Sequence, residues 1–328
     1  MGRVRVGLTM GDPCGIGPEI LWNAYQRVFS ELKYELEIFG DPRIYETLGI
    51  EISKSYRDLF STALRIEEYS PVVEVGKETK AGGEHSLLYL EASVSAVKEG
   101  RVQALVNGPV SKSAVSSTLP GFRGHTYFYE EHLLRRGRSQ AVMAFYGKVF
   151  SLVLLTHHLP LAKVSAQLGE LDLSSLVHRS LCDFSPLLTD PRIAVCGFNP
   201  HAGEEGLLDC GEDKALRFMV AGLEGKGWNI KGPLPADTLF CPQVIQDFNL
   251  VISPYHDQGL IPFKMAHFPS GLGVTLGLQV PRLSVDHGTA YSLVGTGRAS
   301  STSLEEALLL MNEISGRFLS EPSSKAGK

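Results

Sequence analysis

Asn249 to Lys264 reads NLVISPYHDQGLIPFK. The apolar run Leu250-Val251-Ile252 suits a buried strand, and the chain then turns polar at Ser253-Pro254-Tyr255-His256-Asp257-Gln258. In open α/β sheets ligands sit outside the carboxyl ends of the strands, so a strand that ends in His-Asp offers side chains to something. The same pattern occurs twice more. Phe150 to Leu155 is an apolar run followed by Thr156-His157-His158-Leu159-Pro160, and Ile193 to Phe198 is followed by Asn199-Pro200-His201-Ala202-Gly203-Glu204. Any one of these histidines alone reads most simply as a hydrogen-bonded loop residue. Three together, each in a loop fixed by Pro or Gly, outline a metal site. Three neutral imidazoles with an open coordination position suit a catalytic divalent ion, zinc foremost, with cobalt, manganese or magnesium as alternatives.

Outward from these loops, strand and helix patterns alternate. Val4 to Met10 is an expected strand, and GDPCGIGPE (Gly11 to Glu19) a glycine-rich turn opening a helix that runs to about Phe29. Pro18 suits the first helical turn, where a missing amide costs nothing. Free amides there could meet a phosphate or carboxylate, although the stretch is neither a dinucleotide fingerprint nor a P-loop, and a tight turn without a ligand explains it equally well. Glu35 to Gly40 reads as a strand and Pro42 to Leu48 as a short helix. Leu87, Leu90, Val94 and Val97 mark a helix between Gly82 and Gly100 that feeds the strand Val102 to Val106. His125 and Thr126 precede a helix expected near Tyr127, where capping is the simplest role. An amphipathic helix is expected from Ser303 to about Phe318, and the tail EPSSKAGK is expected to be mobile. The alternation implies an α/β chain with a mostly parallel sheet and helices on both faces. Two α/β subdomains with a cleft are expected, 1–130 with 270–328 on the cofactor side and 131–269 carrying most of the metal ligands.

At 328 residues, with 43% hydrophobic and 20% charged residues, the composition is that of a globular protein. A net charge of −5 and no Lys/Arg block argue against a nucleic-acid partner. No signal-peptide pattern and no membrane-length apolar stretch is read, so no membrane partner is expected. The five cysteines lack paired short spacings and are expected to be reduced thiols in a cytoplasmic protein.

The motifs GDPCGIGPE, NGPVSK, GHT, THHLPL, GFNPHAGE, GPLPADTLF, SPYHDQGLIPFK and SVDHGTA, in that order along nearly the whole chain, resemble the 4-hydroxythreonine-4-phosphate dehydrogenase family of vitamin B6 biosynthesis. The first and last also look like segments of isocitrate and isopropylmalate dehydrogenases, whose two-domain fold this family is similar to. The resemblance implies metal ligands His158, His201 and His256, taking His158 over His157. It implies substrate contacts at His125, Thr126, Lys264, Arg282 and the position of Gly273. It further implies cofactor contacts at Asp286, His287, Gly288, Thr289 and Gly295, with NAD or NADP, and a catalytic role for Lys264; Asp237, in a rigid loop of the matching PADT segment, is a candidate fourth metal ligand or a catalytic, proton-handling carboxylate. A homodimer is implied, its active site shared between subunits and its metal ligands drawn from both.

Three departures stand out. Gly273 replaces the family's asparagine, removing two donors and an acceptor. Tyr127 follows GHT where an acidic residue is usual, and Ser292 stands where related chains often carry Asp. The expected reaction is metal-assisted oxidation of 4-phosphohydroxy-L-threonine followed by decarboxylation. Dehydrogenases of four-carbon sugar-acid phosphates or aromatic dihydrodiol acids are the alternatives; an acyl-phosphate transferase would need no histidine set, and a non-catalytic binding protein would not require the clustered glycine loops at both ends of the chain.

Overall fold

The computed structural model describes residues 3–64, 66–68, 70–71 and 74–318. The polar tail lies outside the described residues. The chain divides into two compact units, 1–141 with 278–328 and 142–277.

The first unit is built on four parallel strands in the order β2, β1, β3, β10: β1 is Arg5–Thr9, β2 Glu35–Phe39, β3 Ala104–Asn107 and β10 Arg282–Val285. Val6, Leu8, Ile38, Leu105 and Val106 are buried, as strands covered on both faces require. The helix Gly17–Val28 buries Ile20, Leu21, Ala24 and Val28, and the helix Thr302–Phe318 packs against it. Arg27 and Glu305 link the two at 2.8 Å. The expected periodicity holds in the helix Lys80–Lys98, where Leu87, Leu90, Val94 and Val97 are all buried and the Thr79 side chain accepts from the Gly82 amide at 2.9 Å.

The second unit orders its strands β9, β4, β5, β8, β6, β7. They are β4 (Val142–Tyr146), β5 (Ser151–Leu154), β6 (Ile193–Cys196), β7 (Ile230–Leu234), β8 (Leu250–Ser253) and β9 (Leu272–Leu276). β5, β8, β6 and β7 run parallel, whereas β4 is antiparallel to both β5 and β9. The sheet is thus mostly parallel, as expected. Phe145, Phe150, Leu152, Val251, Leu260 and Phe263 form part of its core. Burying each such side chain contributes roughly 1.5–3 kcal/mol.

Among the described residues no disulfide joins two of the five cysteines. Among the described residues no helix is long and apolar enough to cross a membrane.

Candidate functional site

In the second unit β5, β8 and β6 are neighbours and parallel, so their carboxyl ends lie along one side of the sheet. His158, His256 and His201 come just after those three ends in turn. The loops are braced to one another. Thr156 donates through its amide and its Oγ1 to Pro254 O, at 3.2 and 2.8 Å, tying the His158 loop to the His256 segment. Gln258 Nε2 donates to Gly197 O at 2.7 Å while its Oε1 accepts from Ser253 Oγ at 2.9 Å, tying the His256 segment to the strand that leads to His201. The buried Asp213 carboxylate accepts from the amides of Phe198 (2.7 Å) and Asn199 (3.0 Å) and from Asn199 Nδ2 (2.9 Å). These bonds fix the entry to a turn in which His201, Ala202, Glu204 and Glu205 all have positive φ between 43° and 55°. His158 also has positive φ, at 51°. A non-glycine residue held there costs of order 1 kcal/mol or more, so the surrounding bonds must over-determine it.

The rings of His158 and His256 lie 5.7 Å apart, a spacing that suits two imidazoles on one ion. His256 Nδ1 donates to Asp257 Oδ1 at 2.6 Å, which leaves Nε2 as the lone-pair nitrogen. His157 stands beside His158, its ring 5.5 Å away. Among the described residues no three His, Cys, Asp or Glu side chains close on a common point. One chain brings two of the three expected imidazoles together, and their donor chemistry fits a divalent ion.

In the first unit a buried polar cluster joins four distant segments. Arg282, at the start of β10, donates from Nε to Asn107 Oδ1 at 2.7 Å. Asn107 Nδ2 donates to Thr9 Oγ1 and to Tyr129 Oη, each at 2.8 Å, and Ser93 Oγ meets Tyr129 Oη at 2.9 Å. His125 stacks on Tyr129 at 6.5 Å with 6° between the ring planes. Burial, with the charges of Arg282 and Lys112 adding to it, holds the His125 imidazole well below its ordinary pKa. Burial likewise pushes the Arg282 guanidinium down to about 10. His125 Nε2 is buried and finds no hydrogen-bond partner among the described residues. A neutral imidazole beside a buried guanidinium is prepared for an anion.

His125 opens its helix, His125–Leu133, and the N-cap is Gly124 with no side-chain cap bond. The capping role expected for His125-Thr126 is therefore not taken up. Gly124 has φ +111°, which only glycine adopts freely. Tyr127 packs under the guanidinium of Arg123, whose Cζ lies 3.9 Å from the ring centroid, so the position that departs from the family pattern carries a cation–π contact.

The glycine-rich opening turn spends its amides inside the fold. Cys14 N donates to Asp12 Oδ1 (2.8 Å), Gly15 N to Asp12 O (3.1 Å) and Ile16 N to Thr289 O (2.9 Å). It is a clamp for the 286–297 segment: Tyr291 Oη donates to Asp12 Oδ2 at 2.7 Å and the Gly295 amide to the Glu19 carboxylate at 3.2 Å. Burial pushes the Asp12 carboxyl up, against the lowering effect of the bonds from Tyr291 and Cys14. His287 Nδ1 meets Gly288 O at 3.1 Å. Thus the opening turn holds the segment that includes Asp286 to Gly295, and its amides are spent on that segment and on the turn itself.

A family model described as "Pyridoxal phosphate biosynthetic protein PdxA" matches residues 26–311. The chain belongs to the PdxA family. A relative named 4-hydroxythreonine-4-phosphate dehydrogenase, from Xanthobacter autotrophicus, is 37% identical over 94% of this chain and 92% of its own. A relative from Symbiobacterium thermophilum, provisionally named D-threonate 4-phosphate dehydrogenase, is 33% identical over 93% of this chain and 95% of its own. The crystal structure of a Klebsiella pneumoniae 4-hydroxythreonine-4-phosphate dehydrogenase aligns with TM-score 0.74 and 26% identity, covering 95% of this chain and all of that one. A β-decarboxylating dehydrogenase from Thermococcus kodakarensis, at 14% identity and TM-score 0.51, shares the fold alone.

The remaining site residues of the PdxA pattern are spread over both units. Asp237 is exposed in the first turn of the short helix Ala236–Leu239, and Lys264 is exposed in the last turn of the helix His256–His267. Gly273 pairs with Phe145 in the antiparallel β9–β4 ladder, and Thr126 is half-buried beside His125. Sequence reasoning passed over Asn107, Tyr129, Asp213 and Gln258. Asn107 had a signal, as a polar residue ending a wholly buried strand.

Proposed function

We propose that this PdxA-family chain oxidises 4-phosphohydroxy-L-threonine with NAD or NADP to 2-amino-3-oxo-4-phosphooxybutanoate, which loses carbon dioxide to give 3-amino-2-oxopropyl phosphate. It acts as a cytoplasmic homodimer. The observation that carries the reading is the approach of His158 and His256 at two of the three adjacent strand ends whose loops bear the family's histidines.

His158, His256 and His201 would hold a divalent ion, zinc foremost, and bound metal and nicotinamide would supply a Lewis acid for the substrate hydroxyl and a hydride acceptor. Around that chemistry the chain supplies orientation and charge. His125, neutral and with its Nε2 buried, and Arg282, fixed by Asn107, bind an anionic end of the substrate. Lys264 binds a second, and Asp237, at the surface, exchanges the hydroxyl proton with solvent. The bond from His256 Nδ1 to Asp257 keeps the imidazole in one tautomer through the cycle. Asp286 to Thr289 and Gly295 receive the cofactor on a segment that the opening turn pins at Thr289, Tyr291 and Gly295.

Gly273 and the relative from Symbiobacterium favour a second reading, oxidation of a four-carbon sugar-acid 4-phosphate by the same site. A side chain lost at position 273 removes hydrogen-bonding capacity that an amino-acid substrate could use. NAD(P) reduction with 4-phosphohydroxy-L-threonine, run beside threonate and erythronate 4-phosphates, separates the two. Turnover concentrated on the amino acid is expected; turnover on a sugar acid alone moves the assignment to the second reading.

A further inference from the structure

The first-unit pocket holds a cation to which the sequence pattern assigns no role. Lys112 begins the short helix Lys112–Ser116, and Glu78 clamps its backbone from outside: one carboxylate oxygen accepts from Ser111 Oγ and the other from Ser113 Oγ. Those two bonds hold the Glu78 carboxyl below the usual range, so it stays ionised and the clamp stays closed. From this fixed point the side chain runs over Gly124. A Cβ placed at Gly124 would lie 3.0 Å from Lys112 Cε and 3.8 Å from Nζ, so a residue without a side chain is what lets the ammonium approach. Its charge is felt at His125.

The placement is electrostatically adverse as it stands. The helix His125–Leu133 presents its positive end there without a side-chain cap, and Arg282 lies buried nearby against Tyr129, 5.6 Å from the ring centroid. A cation belongs at the other end of a helix. His125 Nε2, buried with no partner among the described residues, faces the same cluster of positive charge. Two cations, a helix N-terminus and an unspent imidazole nitrogen together call for a dianion.

We propose that Lys112 is a third phosphate-binding residue of this pocket, with Glu78 as the residue that positions it. The proposal deepens the reading given above and rests on it for the identity of the phosphate donor.

The test uses Lys112→Met, Lys112→Arg and Glu78→Gln in the full chain. Calorimetric titration with inorganic phosphate reads the site without turnover, and titration with acetate distinguishes a dianion pocket from a general carboxylate site. Lys112→Met should weaken phosphate binding by about 10- to 100-fold, the worth of one charge-assisted hydrogen bond, and acetate binding by much less. Lys112→Arg should recover most of the loss, and Glu78→Gln should weaken phosphate about three-fold by loosening the clamp. In turnover, Lys112→Met should raise KM for the phosphorylated substrate by a similar factor and lower kcat far less. Phosphate affinity equal in wild type and Lys112→Met overturns the proposal, as does an equal loss for acetate. If phosphate binding depends on Lys112 but no phosphorylated substrate is oxidised by wild type, the functional reading fails and the site stands. If wild type turns over and Lys112→Met matches it in KM, the site fails and the reading stands.

Discussion

The two polar centres of this chain are built in opposite ways. In the first unit Arg282, Asn107, Tyr129 and His125 are drawn from segments up to 175 residues apart and locked to one another by their own side-chain bonds and ring contacts. In the second, the bonds fix the loops that carry the imidazoles: Thr156, Gln258 and Asp213 brace backbone, and His158 and His201 are exposed. The first pocket meets the cost of ordering its groups during folding, so an anion would find them in place. The second leaves its imidazoles at the surface and brings only two of the three together in one chain. Under the proposed function a divalent ion and a second copy of the chain would complete it.

If that contrast is right, damage to the second centre should cost function without stability, and damage to the first should cost both. The largest effect is expected from His256→Ala. Its ring is part-exposed and bonded to the exposed Asp257, so the variant should fold normally yet lose metal binding and about 1,000-fold or more in kcat/KM. Metal analysis, calorimetric titration and steady-state rates check this; wild-type activity in a metal-free variant would break the scheme.

Arg282→Lys is expected to cost about 10- to 100-fold in kcat/KM and about 1–2 kcal/mol of stability, because the bond from Nε to Asn107 goes with the guanidinium. Urea unfolding beside kinetics reads both. A variant impaired in activity but not in stability would make the two centres alike.

The smallest effect is a pH slope. His125 has its pKa depressed in the fold below the ordinary value of 6.5, so below that value the unfolded chain binds the proton more readily. The stabilisation is complete above 6.5 and is lost as pH falls toward the folded pKa, with a limiting slope of about 1.4 kcal/mol per pH unit. His85, depressed mainly by burial, adds a slope of the same sign. Between about pH 7.5 and 5.5 wild type should therefore lose more unfolding free energy than His125→Asn does, the His85 contribution cancelling in the difference. Equal losses would mean that His125 is not held neutral.

Sequence pattern carried the second centre further than the first. Apolar runs of three residues or more that give way to a polar loop bearing His are a local signal, and β5, β6 and β8 lie where those runs are. The segment after β8 was harder to read. The helix His256–His267 contains Gly259 and Pro262, both poor helix residues, and tertiary burial of Leu260 and Phe263 overrides them. Neither β4 nor β7 was expected. β4 mixes buried and half-buried positions and runs antiparallel among parallel neighbours, while β7 includes Gly232-Pro233 at the sheet edge. The first centre is assembled from residues that have no relation along the chain. Lys112 closes the NGPVSK motif without a role of its own there and Tyr129 sits in a plain helical stretch, and only the fold brings them to His125. The opening turn was legible as a glycine-rich bend, but its partners Thr289 and Tyr291 come from the far end of the chain, Tyr291 lying 279 residues beyond Asp12.

The rate of NAD(P) reduction with 4-phosphohydroxy-L-threonine tests metal-assisted oxidation most directly when it is measured on zinc-loaded protein, on the same protein after chelation, and again after metal is returned. Turnover should fall to background on chelation and return with the ion, while phosphate affinity at the first centre stays unchanged throughout. Turnover that survives complete removal of metal would contradict the assignment of the three histidines to a catalytic ion.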